Sequence, residues 1–208
     1  MTRLADLTTL RLGGPAREIV TASGTGELVE AVRAADGNGE PVLIVGGGSN
    51  LVVADEGWPG VVVLVRNAGV TVNECAGHVD VTVQAGVEWD AFVARTVRES
   101  WSGLATTSGI PGLAGATPVQ NVGAYGTEVA ELITGVTVLD RNDGAVTRWG
   151  PRQCEFGFRT SVFKHTDRYL VLDVSFRLSR GEHSAPVRYL ELARRLGVEP
   201  GDTAPLGK

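Results

Sequence analysis

This sequence of 208 residues lacks the features that mark several classes of protein. Its two cysteines, Cys75 and Cys154, are far apart and form neither a CxxC pair nor a Cys/His cluster, so we expect no disulfide framework, no metal site and a reducing, cytoplasmic environment. The longest apolar runs, such as Val61–Val65, are too short to cross a bilayer, and no continuous apolar segment opens the chain. The net charge of −5 comes with dispersed Lys and Arg residues. We therefore expect no membrane insertion and no nucleic-acid partner, and nothing in the sequence indicates an oligomeric state.

Two familiar nucleotide-binding signatures are also missing. The segment GGGSNL at Gly46–Leu51 has glycines at the first two positions of a dinucleotide-binding fingerprint, but Leu51 stands where the third glycine belongs. No GxxxxGK[ST] segment occurs, so the lysine and hydroxyl that hold a nucleoside triphosphate and its magnesium are absent. These absences argue against a Rossmann dehydrogenase and against a kinase or ATPase.

Glycine, in contrast, is abundant, at 28 of 208 residues, which is nearly twice the usual share of about 7%. The glycines cluster in two uncharged segments, Gly46–Asn50 and Ser108–Gly126. One such loop would be explained by a simple turn after a strand, but two together suggest a large phosphate-bearing ligand, because glycine lets successive backbone N–H groups approach an anion. Ser49, Asn50, Ser108, Gln120 and Asn121 add uncharged hydrogen-bonding side chains to the two loops.

The hydrophobic pattern predicts a small α/β unit over residues 1–66, an α+β unit over 67–180 and a short third unit over 181–208. A turn signal, Asn142–Gly144, separates two of the predicted strands. In the last predicted helix we expect Val187, Leu190 and Ala193 to face inward, and Trp89 and Trp101 are expected in the core. Predicted strands cover Ala16–Ala22, Pro41–Val45, Val61–Val65, Val70–Val72, Val79–Gln84, Ile133–Asp140, Val146–Trp149 and Tyr169–Leu178, and predicted helices cover Thr25–Ala35, Trp89–Ser100 and Ala185–Leu196.

Five motifs, in order along the chain, resemble those of the UDP-N-acetylenolpyruvoylglucosamine reductase (MurB) family of peptidoglycan precursor synthesis. The resemblance runs from about Thr8 to Leu178, and the motifs PxQNxGAYG and FGxR are more specific than a generic glycine loop. The motifs are TLRLGG at Thr9–Gly14, GGGSN at Gly46–Asn50, GIPG at Gly109–Gly112, PVQNVGAYG at Pro118–Gly126 and FGFRTS at Phe156–Ser161.

The resemblance implies an α+β, two-subdomain FAD-binding fold of the vanillyl-alcohol-oxidase (PCMH) type. In such a fold the two glycine-rich loops hold the pyrophosphate and isoalloxazine of FAD. The residues that it assigns to cofactor binding are Gly46, Gly47, Gly48, Ser49, Asn50, Leu51, Ser108, Gly109, Ile110, Pro111, Gly112, Ala116, Pro118, Gln120, Asn121, Gly123, Ala124, Tyr125 and Gly126.

The resemblance also implies a reaction in which NADPH reduces the flavin and the enolpyruvyl group of a UDP-sugar then accepts hydride to give UDP-N-acetylmuramate. Arg159 matches the arginine of FGxR, and it is the expected catalytic residue and the cation for the substrate carboxylate. Tyr189 resembles a substrate-covering tyrosine of the family, although a tyrosine packed on a helix explains it equally well. Phe158 replaces a tyrosine often seen in the family.

The sequence departs from the family at its C-terminal end. The family's third, substrate-binding domain carries a serine proton donor in a SAGSFF-like segment and a later glutamate, and neither segment is present here. We therefore expect this chain to supply mainly the FAD-binding part, with weak or absent turnover alone. By the resemblance, residues 1–66 and 67–180 are its two FAD-binding subdomains, and 181–208 are the start of a truncated substrate-binding domain. The alternatives are a non-catalytic FAD-binding module and another flavoprotein oxidase or dehydrogenase of the same fold.

Overall fold

The computed structural model describes residues 3–207. Residues 1, 2 and 208, which belong to the predicted first and third units, lie outside the described residues. The strands are β1 Ala16–Ala22, β2 Val42–Val45, β3 Trp58–Val65, β4 Val70–Cys75, β5 His78–Gln84, β6 Trp101–Ser102, β7 Gly123–Ala124, β8 Thr127–Glu128, β9 Ile133–Asp140, β10 Val146–Trp149 and β11 Tyr169–Arg180, and the helices are α1 Thr25–Gly37, α2 Trp89–Arg98 and α3 Leu190–Leu196.

The first sheet is a small parallel sheet with strand order β1-β3-β2. Its central strand β3 is buried from Gly60 to Val65, which explains the unbroken β-branched run in the sequence. Helix α1 covers the sheet with the apolar face that the sequence predicts, since Leu28, Val29, Val32 and Ala35 are all buried. The first glycine-rich loop leaves the carboxyl end of β2, the edge of an open parallel sheet where ligands bind.

The second sheet is antiparallel, with strand order β10-β9-β11-β5-β4. The β9–β10 hairpin turns as predicted, with the Gly144 amide donating to the Asp140 carbonyl at 2.8 Å. Helix α2 packs on this sheet through Trp89 and Phe92, whose rings lie 5.8 and 6.1 Å from that of Phe176. Trp89 and Trp101 are both buried, which confirms their predicted place in the core.

The two sheets share part of their core. Val63 and Val65 of the first sheet belong to the same buried cluster as Leu139 and Leu172 of the second. The fully buried Asn67 joins the two sheets, because its Nδ2 donates to the Leu172 carbonyl at 3.2 Å and its Oδ1 accepts from the Gly86 amide at 3.0 Å. This packing fixes how the loops at the edge of one sheet meet those of the other.

The C-terminal helix differs from the prediction. It begins at Leu190 and not at Ala185, because the backbone of Val187 pairs with the turn at Gly201–Asp202: its amide donates to the Asp202 carbonyl at 2.8 Å and its carbonyl accepts from the Gly201 amide at 2.9 Å. Val187 and Ala193 are buried as expected, but Leu190 is 50% exposed, so its predicted inward position is wrong. No helix within residues 3–207 has the length and apolar character needed to cross a bilayer.

Candidate functional site

The two glycine-rich loops meet at the junction of the two sheets. A Cβ on Gly47 would lie 3.2 Å from the Gly112 Cα, and one on Gly112 would lie 3.5 Å from the Ser49 Oγ. The contact at Gly47 is tight, so a side chain there would push the loops apart, whereas the distance at Gly112 is an ordinary van der Waals contact. The structure brings together Gly46–Asn50 and Gly112, as the sequence analysis predicts.

The backbone of the first loop leaves a run of N–H groups without acceptors. Among residues 3–207, the amides of Gly47, Gly48, Ser49 and Asn50 donate to no protein atom, and neither does the amide of Gly112 in the second loop. The Ser49 hydroxyl and the Asn50 side-chain amide have no protein partner in that part of the chain either. Consecutive unpaired amides beside uncharged polar side chains form the donor set that a diphosphate accepts.

Contacts from the amino-terminal segment and from β3 hold the first loop in place. The Gly48 carbonyl accepts from the Thr9 amide at 3.0 Å. The Arg66 guanidinium donates to the Gly46 carbonyl at 3.0 Å and to the Val65 carbonyl at 2.7 Å. Arg66 is not among the site residues predicted from the sequence. The sequence does contain a signal for Arg66, because it directly follows the apolar run of β3. The carboxyl ends of parallel strands lie at the same edge of a sheet, so a residue after β3 is expected near the loop that follows β2.

The second loop is attached to the connection between β5 and α2. The amides of Ala114 and Gly115 donate to the carbonyls of Val87 and Ala85 at 2.8 and 2.9 Å. A Cβ on Gly115 would lie 2.5 Å from the Ala85 Cβ, so only glycine permits this approach. Gly115 is absent from the predicted site residues, and the structure gives it a supporting position behind the loop.

Asp90, in the first turn of α2, anchors the start of the second loop. Its Oδ1 accepts from the Gly109 amide at 2.7 Å and from the Ser108 hydroxyl at 2.8 Å. The hydrogen bond from the Gly109 amide, followed by that from Ser108, holds the pKa of Asp90 below its usual value. The donors of Ser108 and Gly109 are thus engaged within the protein. Both residues were predicted to contact the cofactor, and here they orient the loop.

Replacing this carboxylate tests its role. We expect Asp90→Asn to speed hydrogen exchange of the Gly109 amide by roughly five- to tenfold near neutral pH, because one charged acceptor of two hydrogen bonds is lost. Since the pKa of Asp90 is lowered on folding, the wild-type anchor is complete above the ordinary carboxyl pKa of about 3.9 and weakens only as pH falls below it. Exposed Asp6, changed to Asn, is the matched control and should leave this amide unchanged. Equal exchange in wild type and Asp90→Asn would contradict the anchor.

Asn121 is buried and internally bonded. It is 1% exposed, its Nδ2 donates to the Glu128 carboxylate at 2.7 Å and to the Gly157 carbonyl at 3.0 Å, and its Oδ1 accepts from the Ala130 amide at 3.1 Å. Both amide protons are therefore used within the protein. The prediction from the sequence was that this side chain faces the cofactor. The structure instead makes it the link between the PVQNVGAYG and FGFR segments.

Arg159 lies against the second loop. Its Nη1 donates to the Asn121 carbonyl at 3.2 Å and its Nη2 to the Gly123 carbonyl at 2.5 Å, which leaves the remaining N–H groups of the fork without a partner among residues 3–207. Its backbone is left-handed, with φ 53°, and the Lys164 ammonium donates to its carbonyl at 2.8 Å. A Cβ on Gly123 would overlap the Thr127 carbonyl oxygen and would lie 2.9 Å from the Arg159 Nη1. Glycine is therefore needed for the close approach of β7 to β8, and it also leaves room for the guanidinium.

Tyr125 lines a cavity and contacts Tyr189. Their rings meet edge to face with centroids 5.8 Å apart, and each side chain is about half exposed. Tyr189 is the N-cap residue of α3, and its carbonyl accepts from the Ala193 amide at 2.9 Å. The cavity, of about 440 Å³, lies between the 103–108 segment and the C-terminal segment and is lined by Arg195 among others. The Thr106 hydroxyl, at its wall, is buried without a partner among residues 3–207.

The other predicted site residues divide into exposed and buried groups. Pro118 is buried, and Leu51 packs on the apolar cluster around Leu4 and Val62, so both support the loops from behind. Phe158, 83% exposed, presents its ring to the Arg159 guanidinium at 5.4 Å. The exposed or half-buried ones are Ile110, Pro111, Ala116, Gln120, Ala124 and Gly126.

The chain is similar over most of its length to proteins of known family. A family profile described as FAD binding domain matches residues 16–150. Over 206 residues, 99% of this chain and 57% of the relative, the chain is 55% identical to UDP-N-acetylenolpyruvoylglucosamine reductase of Salinispora arenicola. It is 51% identical to the Thermobifida fusca protein of the same name, covering 98% of this chain and 57% of that relative. The chain thus spans a little over half the length of the curated relatives it matches.

Solved structures show the same fold. MurB from Thermus caldophilus matches with a TM-score of 0.69 and 31% identity, covering 86% of this chain and 62% of that one. A cholesterol oxidase from Brevibacterium sterolicum matches with a TM-score of 0.59 at 17% identity, over 79% of this chain and 34% of its own, and shows the fold alone. A VAO-type flavoprotein from Myceliophthora thermophila does likewise, with a TM-score of 0.54 and 19% identity over 79% of this chain and 32% of its own. The predicted α+β FAD-binding fold of the vanillyl-alcohol-oxidase type is confirmed.

Proposed function

Because this chain belongs to the FAD-binding domain family, we propose that its two glycine-rich loops hold the diphosphate of FAD and that it forms the FAD-binding part of a UDP-N-acetylenolpyruvoylglucosamine reductase. The observation that carries the proposal is the run of amides at Gly47–Asn50, which have no acceptor within residues 3–207 and lie against Gly112. These N–H groups suit an anion that brings several acceptor oxygens and no hydrogen-bond donor of its own. Arg66, engaged with the Gly46 carbonyl, adds positive charge at the same edge.

Sequence identity favours a reductase over an oxidase of the same fold. Identity of 51 to 55% extends over nearly the whole chain for the reductases, and falls to 17% for the cholesterol oxidase. The PVQNVGAYG and FGFR segments also hold one another through Asn121 and Arg159. Two segments that are separate in the sequence therefore form one structural unit.

FAD, when bound, supplies hydride transfer between NADPH and the enolpyruvyl group of the UDP-sugar. We assign to Arg159 the binding of the substrate carboxylate, since its guanidinium stays protonated and can bind a carboxylate through two parallel N–H donors. The same cation stabilises the enolate charge that develops on that substrate. Gly123 and Lys164 fix Arg159 by admitting the guanidinium and by holding the backbone carbonyl.

We place the enolpyruvyl sugar at the cavity beside Tyr125 and Tyr189. The Tyr125 ring, which contacts that of Tyr189, offers an apolar wall, and Arg195 with the unpartnered Thr106 hydroxyl offers polar groups in the lining. We also propose NADPH as the hydride donor and the cytoplasm as the compartment, which is consistent with two cysteines that are both unpaired.

Comparing flavins of different phosphate content tests the proposed cofactor site. The purified chain is mixed with FAD, with FMN or with riboflavin, desalted, and examined by visible absorption. We expect the flavin bands to be retained with FAD and lost with riboflavin, because the loop amides bind the diphosphate and not the ring. Retention of riboflavin as firmly as FAD, or loss of all three flavins, would overturn the assignment of the loops.

The reductase assignment needs a separate measurement. Under anaerobic conditions we expect NADPH to bleach the bound flavin, and UDP-N-acetylglucosamine enolpyruvate to restore its colour. A flavin that is retained but that neither NADPH nor this substrate affects would instead support a non-catalytic FAD-binding module.

A further inference from the structure

The β4–β5 hairpin gathers three side chains that offer different metal-ligand atoms. Cys75 ends β4 and His78 begins β5, and the tight turn at Ala76–Gly77 makes them direct cross-strand partners. Asp80 lies two residues further along β5, on the same face of the strand as His78. The Cys75 Sγ, a ring nitrogen of His78 and a carboxylate oxygen of Asp80 all lie within 4.8 Å of one another.

This cluster was not expected from the sequence, in which the cysteines were predicted to form no Cys/His cluster and no metal site. Its spacing, C-x-x-H followed by Asp, lacks the paired CxxC pattern of common zinc sites. In the structure, the His78 side chain is only 33% exposed, and its Nε2 lies 3.8 Å from the Asp80 Oδ2. The hairpin turn, and not the linear spacing, brings the ligand atoms together.

We propose that Cys75, His78 and Asp80 form a binding site for Zn²⁺. Sulfur, imidazole nitrogen and carboxylate oxygen are the three ligand types that zinc takes in proteins, and three protein ligands leave one position for water. A separation of 3.8 Å between nitrogen and oxygen needs little adjustment for two ligands that each lie about 2.0 to 2.2 Å from one ion. On binding, Cys75 coordinates as the thiolate and releases its proton to solvent.

The surroundings of the cluster are suited to this role. Arg177 of β11 donates to both carboxylate oxygens of Asp80, at 2.8 and 2.9 Å, and so holds that side chain in one orientation. Each carboxylate oxygen has a second lone pair, so hydrogen bonding by Arg177 and metal coordination are compatible, and ligating carboxylates are commonly hydrogen-bonded in this way. The neighbouring Arg180 is neutralised by Glu74 at 2.7 Å. The site therefore retains a ligand set that becomes anionic when Cys75 loses its proton.

The proposed site is independent of the flavin site. It shares no residue with either glycine-rich loop, and β4 is the outermost strand of its sheet. A metal ion there would bridge the two strands of an edge hairpin next to its turn. The other cysteine, Cys154, is fully buried, and burial raises the pKa of its thiol to about 11, so it is not available as a competing ligand.

The test uses Co²⁺ as a spectroscopic probe and Zn²⁺ as a competitor, added to the purified 208-residue chain. We expect one equivalent of Co²⁺ to give a thiolate-to-cobalt charge-transfer band in the difference spectrum, and Zn²⁺ to displace it. Cys75→Ser should abolish the band, and His78→Gln should weaken Zn²⁺ binding by at least about tenfold, since changes even in the outer shell of metal sites reduce affinity that much.

Matched variants decide the outcome. Cys154→Ser and His183→Gln change the other cysteine and an exposed histidine, and both should bind the metal as the wild type does. Absence of a thiolate band in the wild type, or Zn²⁺ binding that survives both Cys75→Ser and His78→Gln, would overturn the proposal. Circular dichroism of each variant shows that the hairpin variants remain folded, and His78→Gln gives a second reading should Cys75→Ser fail to fold.

Discussion

Gly48→Ala is expected to abolish flavin retention and to lower the free energy of unfolding by at least about 3 kcal/mol. A Cβ at this position would overlap the Leu7 carbonyl oxygen, and would lie 2.9 Å from the Leu7 carbonyl carbon and 3.0 Å from the Thr8 Cα. All three atoms belong to the backbone, so no side chain can turn aside to make room. Either the amino-terminal segment or the first loop must move, and movement of the loop disperses the unpaired amides that we assign to the diphosphate.

The control for this substitution is Gly39→Ala. Gly39 has φ 67°, nearly the same as the 68° of Gly48, but a Cβ there would meet no atom within 4 Å. Its replacement therefore carries only the penalty of a left-handed backbone, about 1 kcal/mol, and should leave flavin binding intact. Urea unfolding and the visible spectrum after desalting measure both effects. If the two variants unfold alike and both retain FAD, the close approach of Gly48 to Leu7 is not needed for the site.

Such close contacts are also the part of the molecule that the sequence predicts least well. Local patterns identify most elements: Ile133–Asp140 and Val146–Trp149 match the structure at both ends, because alternating side chains and the Asn142–Gly144 turn are local properties. The helix predicted from Ala185 begins only at Leu190, because Val187 pairs with the turn at Gly201–Asp202. The spacing of hydrophobic residues carries no information about a backbone pairing of that kind.

In the candidate site, too, one part could be predicted from the sequence and another could not. The two clusters of glycines predict that Gly46–Asn50 and Gly112 lie together, and the structure places them so. The backbones of two loops can approach closely only where the residues have no side chain, and glycine is visible in the sequence. The side chains that position the loops were missed or misread. Asp90 and Glu128 receive hydrogen bonds from loop residues, and neither stands out in a sequence with 24 acidic residues. From the sequence, Asn121 is predicted to face the ligand. Only the structure shows that its side chain is buried and that both of its amide protons are donated to protein acceptors.

The second large effect is expected when that amide is changed. Asn121→Asp should lower the free energy of unfolding by about 3 kcal/mol, because two hydrogen bonds are lost and a second carboxylate is placed against Glu128, which lies 2.7 Å from the Asn121 Nδ2. One of the two lost hydrogen bonds is the one that Asn121 donates to the Gly157 carbonyl. We also expect weaker FAD binding, because the substitution displaces the backbone of the second loop. Arg159 would move with it, since its guanidinium donates to the carbonyls of Asn121 and Gly123.

A double-mutant cycle distinguishes this network from simple loss of packing. Glu128→Gln alone removes the charged acceptor of Asn121, whereas Asn121→Asp with Glu128→Gln exchanges donor and acceptor and restores one hydrogen bond between the two side chains. The double variant should therefore be more stable than Asn121→Asp alone, with a favourable coupling energy of about 1 to 3 kcal/mol. The exposed neighbour Gln120, changed to Ala, should alter stability by less than about 0.5 kcal/mol. Additive effects in the cycle would mean that Asn121 and Glu128 act separately, and the Asn121 side chain would then be held by its Gly157 and Ala130 contacts alone.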